Sequence, residues 1–123
     1  MSVERGGPLP EPRIVDKPWG REEWLVVGER IVMKRLIVRA GHRFSLQRHR
    51  VKEEAWLFVT GAGSLRIGDD VLQIEPGMVV HLRPDTVHRI EATEDLELIE
   101  ASTPELDDVV RLDDDYGRAG DDR

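Results

Sequence analysis

Short apolar runs, broken at near-regular intervals by glycine- and proline-bearing turns, constrain this chain more than any other feature. The breaks fall at Gly28-Glu29, Ala40-Gly41, Gly61-Ala62-Gly63, Gly68-Asp69-Asp70, Pro76-Gly77 and Pro84-Asp85. Between them lie residues 21–27, 31–39, 43–49, 54–59, 64–67, 71–74, 78–82, 88–92 and 96–101, runs of strand length with apolar and β-branched residues throughout. Such spacing predicts an all-β sandwich or barrel in a single domain. Ser102-Thr103-Pro104 reads otherwise: a hydroxyl cap followed by proline predicts one or two helical turns. Residues 1–12, with three prolines and two glycines, read as a flexible arm. The domain is expected over 13–118, with 119–123 frayed.

Alternation assigns faces. Arg43, Ser45, Gln47 and His49 share one side of a strand, and Phe44 and Leu46 take the other. A short turn at 50–52 brings Glu54 back beside Gln47 and His49, with Trp56 and Phe58 behind it as a dry wall. His88, Ile90 and Ala92 face inwards while Arg89 faces outwards; Leu96, Leu98 and Glu100 share a parity. An imidazole, a carboxylate and an amide oxygen facing one point make a ligand set for a divalent first-row metal. Glu100 among apolar neighbours must be paired (Arg43 or Lys34), functional, or at the barrel rim, because a lone buried carboxylate is costly. His42 and His81 are not expected to be ligands. Trp19 and Trp24 read as packing residues, and Asp113-Asp114-Asp115 as a solvated acidic run.

The string Gly41-x5-Gln47-x-His49-x4-Glu54-x6-Gly61, with Pro76-Gly77 and Pro84-Asp85-Thr86-Val87-His88 downstream, resembles the two cupin motifs. Gln47 stands where most cupins have a first His. Lys17-Pro18-Trp19-Gly20 and Asp113-Asp114-Asp115-Tyr116-Gly117-Arg118 extend the likeness to the small phosphomannose isomerase-like cupins, over roughly residues 14–118. The resemblance implies a double-stranded β-helix, a jelly-roll barrel in which His88 completes a site of Gln47, His49, Glu54 and His88. That site would hold one divalent ion, Zn, Ni, Co, Mn or Fe. It also implies interconversion of mannose 6-phosphate and fructose 6-phosphate through a cis-enediol, with Glu100 or Lys34 as the base. Arg43, Arg89 and Arg118 would bind phosphate, and Ser45 would join them at the substrate; Tyr116 and Arg118 would close over the barrel mouth. The pattern departs from the bifunctional members in its His49-Arg50-Val51-Lys52 string, where they carry a run of histidines. A metal-dependent oxygenase and a non-catalytic sugar or metabolite binder are the competing readings, since one fold hosts many functions.

Composition bounds the rest. A chain of 123 residues buries a core without staples, and the absence of Cys rules out disulfides and thiolate sites, in keeping with the cytoplasm. No apolar run reaches membrane-spanning length, no leader-like apolar stretch opens the chain, and a net charge of −7 argues against a nucleic-acid partner. A 35% share of charged residues predicts a surface laced with ion pairs. Leu57, Val59 and the second face of 31–39 leave an apolar outer surface that predicts a homodimer.

Overall fold

The computed structural model describes residues 5–122. Twelve strands and no helix are present among them: β1 (Arg13–Lys17), β2 (Gly20–Val27), β3 (Val32–Val38), β4 (Leu46–Arg48), β5 (Glu54–Thr60), β6 (Gly63–Ile67), β7 (Asp70–Ile74), β8 (Val79–Leu82), β9 (His88–Ala92), β10 (Leu96–Ser102), β11 (Val109–Asp113) and β12 (Gly120–Asp122). They form two six-stranded antiparallel sheets, ordered β1-β2-β3-β10-β5-β8 and β12-β11-β4-β9-β6-β7. This is the all-β architecture expected from the turn spacing, in the jelly-roll form that the resemblance implies.

The alternating strands behave as their period dictates. Glu54, Trp56 and Phe58 of β5, His88, Ile90 and Ala92 of β9, and Leu96, Leu98 and Glu100 of β10 are all buried. With Leu36, Val38, Leu65, Ile74, Val80 and Leu82 they fill the space between the sheets. A fully buried Leu or Phe stabilises by about 1.5–3 kcal/mol, so this core carries the barrel. Gly61, which ends the first motif, cannot be replaced freely. Its φ is 98°, and a Cβ there would lie 2.1 Å from the Asp95 carbonyl oxygen.

Four expectations are corrected. Residues 103–108 form an irregular turn instead of a helix, because Thr103 and Asp108 direct their polar groups to the turn at 50–53. Regular alternation fails in 43–49: Phe44 and Ser45 are both buried, and ladder pairing is confined to Leu46–Arg48. Phe44 turns inwards to pack on Trp19, ring centroids 4.5 Å apart, since its apolar ring contributes more inside than strand regularity would. Gly120–Asp122 pair with β11 where fraying was expected, and Arg123 lies outside the described residues. The three aspartates are not simply solvated; Asp113, Asp114 and Asp115 pair with Arg89, Arg118 and Arg43 respectively. Of the N-terminal arm, residues 5–12 carry no strand or helix; residues 1–4 lie outside the described residues. No described helix is long and apolar enough to cross a membrane.

Candidate metal centre

Four polar side chains meet at one end of the barrel, between the sheets. Gln47 on β4 stands directly opposite His88 on β9. His49 follows β4, and Glu54 opens β5 on the other sheet after the turn at 50–53. His49, Glu54 and His88 are buried, with ligand atoms all within 4.8 Å of one another, so the three could hold a metal ion.

The hydrogen bonds around the rings settle which nitrogens face inwards. His49 Nδ1 donates to the Asp108 backbone carbonyl, and His88 Nδ1 donates to Thr86 O at 2.8 Å. A carbonyl only accepts, so in each neutral ring the proton sits on Nδ1 and Nε2 presents a bare lone pair. His49 Nε2 lies 3.2 Å from Glu54 Oε2, and His88 Nε2 lies 3.8 Å from the same oxygen. Neither His49 Nε2 nor Glu54 Oε2 has a hydrogen-bond partner, although both are buried. Lone pairs and a carboxylate oxygen aimed at one another repel unless a cation lies among them. The donor set therefore fits a divalent ion. Gln47 Nε2 is 3.4 Å from His88 Nε2, and Ser45 Oγ donates to Gln47 Oε1 at 2.8 Å. A half-turn of that amide presents its oxygen instead, with the Ser45 hydroxyl then accepting, so Gln47 can serve as a fourth donor.

Electrostatics agree. Burial pushes the His88 imidazolium down to about 4, so the ring is neutral at pH 7. Burial works to raise Glu54, but the Lys52 ammonium, 3.3 Å from Oε1, helps hold its carboxyl below the ordinary range. Burial and the Glu54 charge raise Glu100 to about 7. Lys52, which the sequence reading placed only in a turn, is buried between them, 3.3 Å from Glu54 Oε1 and 3.4 Å from Glu100 Oε2. Burial alone would lower its ammonium, yet the two carboxylates raise it, so Lys52 stays charged.

A cavity of about 160 Å³ opens from this cluster, lined by Gln47, His49, Glu54, Lys52, Glu100 and the rings of Trp19, Phe44 and Trp56, among others. Glu100 is thus inside the barrel and not at its rim, and its partner is Lys52 in place of Arg43 or Lys34. Lys34 lines the cavity too, with its Nζ 3.1 Å from Glu22 Oε1 and over the Trp24 ring. Arg43 and Arg89 are brought elsewhere. Arg43 grips Asp115, with Nη2 to Oδ1 at 2.8 Å, and Arg89 Nε donates to Phe44 O at 2.9 Å; neither lines the cavity. Ser45 is buried and spent on Gln47. Arg118 does line the mouth, held by Asp114 at 2.9 Å, and Lys17 and Arg111 line it with Arg118. These three also border an adjoining open groove. The Tyr116 hydroxyl bonds His42 Nδ1 at 2.8 Å and its ring lies under the Arg118 guanidinium, so the His42 ring is tied to a residue distant in sequence. His81 pairs with Glu53 on the surface. Lys52, Asp108 and Arg111 were given no site role from sequence, and Lys17 entered only within the Lys17-Pro18-Trp19-Gly20 string, because nothing local marks the partners these side chains meet.

Comparison with known proteins places the chain. Residues 10–114 match the family model described as Mannose-6-phosphate isomerase C-terminal. The xanthan biosynthesis protein XanB of Xanthomonas campestris pv. campestris (strain B100) is 34% identical over 111 residues, 86% of this chain and 24% of that protein. The mannose-1-phosphate guanylyltransferase ManC of Salmonella typhimurium is also 34% identical over 111 residues, 86% of this chain and 23% of that protein. The chain thus spans about a quarter of the length of these curated relatives. Among solved structures, the cupin-2 domain Rru_A2000 from Rhodospirillum rubrum shares the fold with a TM-score of 0.72 at 17% identity, covering 89% of this chain and 80% of that one. KdgF from Halomonas sp. does so with a TM-score of 0.69 at 16% identity, covering 77% and 90%. With its cupin barrel, its buried His-Glu-His cluster and a family match over most of its length, the chain belongs to the mannose-6-phosphate isomerase C-terminal family.

Proposed function

We propose that this chain is a metal-dependent sugar-phosphate isomerase that interconverts mannose 6-phosphate and fructose 6-phosphate. The observation that carries the reading is the convergence of two bare imidazole nitrogens on the Glu54 carboxylate, beside a cavity lined by His49, Glu54 and Glu100. His49, Glu54, His88 and Gln47 would hold one divalent ion. Bound there, it supplies Lewis-acid polarisation of a sugar carbonyl.

The remaining roles fall to the protein. Glu100 takes the proton from C2 of the open-chain sugar and returns it at C1, while the hydroxyl proton passes from O2 to O1; the cis-enediol lies between. A carboxyl near pH 7 suits a group that must both accept and give back. Lys52 keeps the Glu54 and Glu100 carboxylates in place. Trp19, Phe44 and Trp56 shield the reacting carbons from water, and the partnerless Trp56 indole N–H is a donor for a sugar hydroxyl. Lys17, Arg111 and Arg118 at the mouth supply cations for the 6-phosphate. A substrate bearing a phosphate dianion does not cross a bilayer unaided, which fits a cytoplasmic enzyme. The assay is direct. Chain reconstituted with Zn, Mn, Co, Ni or Fe should convert mannose 6-phosphate to fructose 6-phosphate in a coupled reaction and run in reverse. Full metal occupancy with no turnover in either direction would defeat the reading in favour of a binder.

We further propose that the chain works as a homodimer through the outer face of the β1–β8 sheet. Leu57 lies opposite Ile99 and Val79, and Met33 opposite Ala101, so the register assembles a continuous apolar patch. Val79 is 71% and Leu57 42% exposed, and apolar faces of this kind are ordinarily covered by a twofold copy. Light scattering should give twice the chain mass at micromolar concentration, and Leu57→Lys with Val79→Lys should halve it. A wild-type monomer would refute this assembly.

A further inference from the structure

The turn that separates His49 from Glu54 is held from outside itself. Three successive backbone N–H groups, of Arg50, Val51 and Lys52, converge on one carboxylate, that of Asp108, at 3.1, 2.7 and 2.9 Å. The same residue's backbone carbonyl accepts from His49 Nδ1. Asp108 ends the segment that runs from β10 to β11. That segment is bonded to the turn at its other end too: Thr103 N donates to Glu53 O at 3.1 Å, and Glu53 N donates to Thr103 Oγ1 at 3.0 Å. Between these anchor points, Leu106 and Asp107 line the cavity.

We propose that Asp108 is a positioning residue for the metal site: its carbonyl fixes the tautomer and ring plane of His49, and its carboxylate locks that carbonyl in place by capping the turn at 50–52. The proposal rests on the metal reading above and adds a determinant to it. The physical reason lies in the two ends of one residue. A carbonyl on an irregular segment has no ladder to hold it, so its direction is set by what the rest of the residue binds. Three N–H bonds to a carboxylate are charge-assisted and give that direction a single value. The outer hydrogen bond of a metal-binding imidazole sets its tautomer and orientation, and its loss costs about 10–100-fold in affinity. A plain turn cap would stabilise the hairpin and leave His49 indifferent.

The test compares wild type, Asp108→Ala, Asp108→Asn and Thr103→Val in the full chain. Long-range nitrogen–proton NMR of the metal-free protein reads the His49 tautomer. Wild type should show the Nδ1–H form, and Asp108→Ala, which keeps the carbonyl but loses its three anchors, should show a mixture. Titration with Co(II) should show affinity falling about 10–100-fold in Asp108→Ala, with a changed visible spectrum, and recovering in part in Asp108→Asn, which retains one acceptor oxygen. Thr103→Val should lower the unfolding midpoint without altering tautomer or affinity. Should Asp108→Ala not fold, Asp108→Asn carries the comparison, with a smaller shift in the same direction. An unchanged tautomer with affinity within about twofold of wild type would overturn the proposal. If wild type bound no metal, the metal reading would fall and the proposed role at a metal site with it, whereas metal binding indifferent to Asp108 would sink the positioning role alone.

Discussion

His88→Ala is expected to reduce metal content from one equivalent to none and to remove isomerase activity, with the barrel still folded. The imidazole is almost wholly buried, its Nδ1 proton is committed to Thr86 O, and its Nε2 faces Glu54. Alanine deletes a donor that water in a buried pocket replaces poorly. The loss should exceed the ~10–100-fold that removing an outer partner of a ligand costs. Deleting a ring from a packed interior costs about 3–5 kcal/mol, so the unfolding midpoint falls as well. The core of Trp56, Phe58, Leu65, Ile90, Leu96 and Leu98 is untouched and should keep the circular dichroism spectrum that of a β protein. His49→Ala should match His88→Ala. His42→Ala and His81→Ala, whose rings serve Tyr116 and Glu53, should keep full metal content by mass spectrometry. Metal retained in His88→Ala, or lost as readily from His42→Ala, would show that the ion lies elsewhere.

Glu100→Gln should separate chemistry from metal binding. The amide has the shape of the carboxyl but cannot accept and return the C2 proton, and general acid–base groups contribute about 10²–10⁴-fold to rate. We expect kcat to fall by about 10³ with metal content unchanged, because Lys52 still holds Glu54 from its own side. Exchange of the C2 proton with solvent should fall in parallel. Lys52→Met is the contrasting variant. It leaves Glu54 and Glu100 buried without their shared cation, and an uncompensated buried charge costs about 3–5 kcal/mol, so stability should drop along with activity. Glu100→Gln with wild-type turnover would remove Glu100 from the mechanism and direct attention to Lys34, the remaining sequence-derived candidate in the cavity wall.

Sequence by itself determined nine of the twelve strands and most of their faces, and the motif resemblance pointed to the meeting of Gln47, His49, Glu54 and His88. A strand's period of two is local geometry, so Glu54-Trp56-Phe58 and Leu96-Leu98-Glu100 could be assigned to the interior residue by residue. Where local geometry was not the deciding force, the reading failed. Phe44 left its expected face because Trp19, far upstream in the chain, offered it a packing partner. Arg43 and Arg89 turned to the acidic run at 113–115 because that run folds back as β11 and its following turn against β4. Lys52 and Asp108 looked like solvated turn charges; the groups they serve are distant, as with the Arg50 amide 58 residues from Asp108. Periodicity states which way a side chain points, but not which remote segment arrives to meet it. The tertiary structure alone decided the partner of Glu100, the cations at the mouth and the anchor of His49, because those contacts exist only once the two sheets have closed on each other.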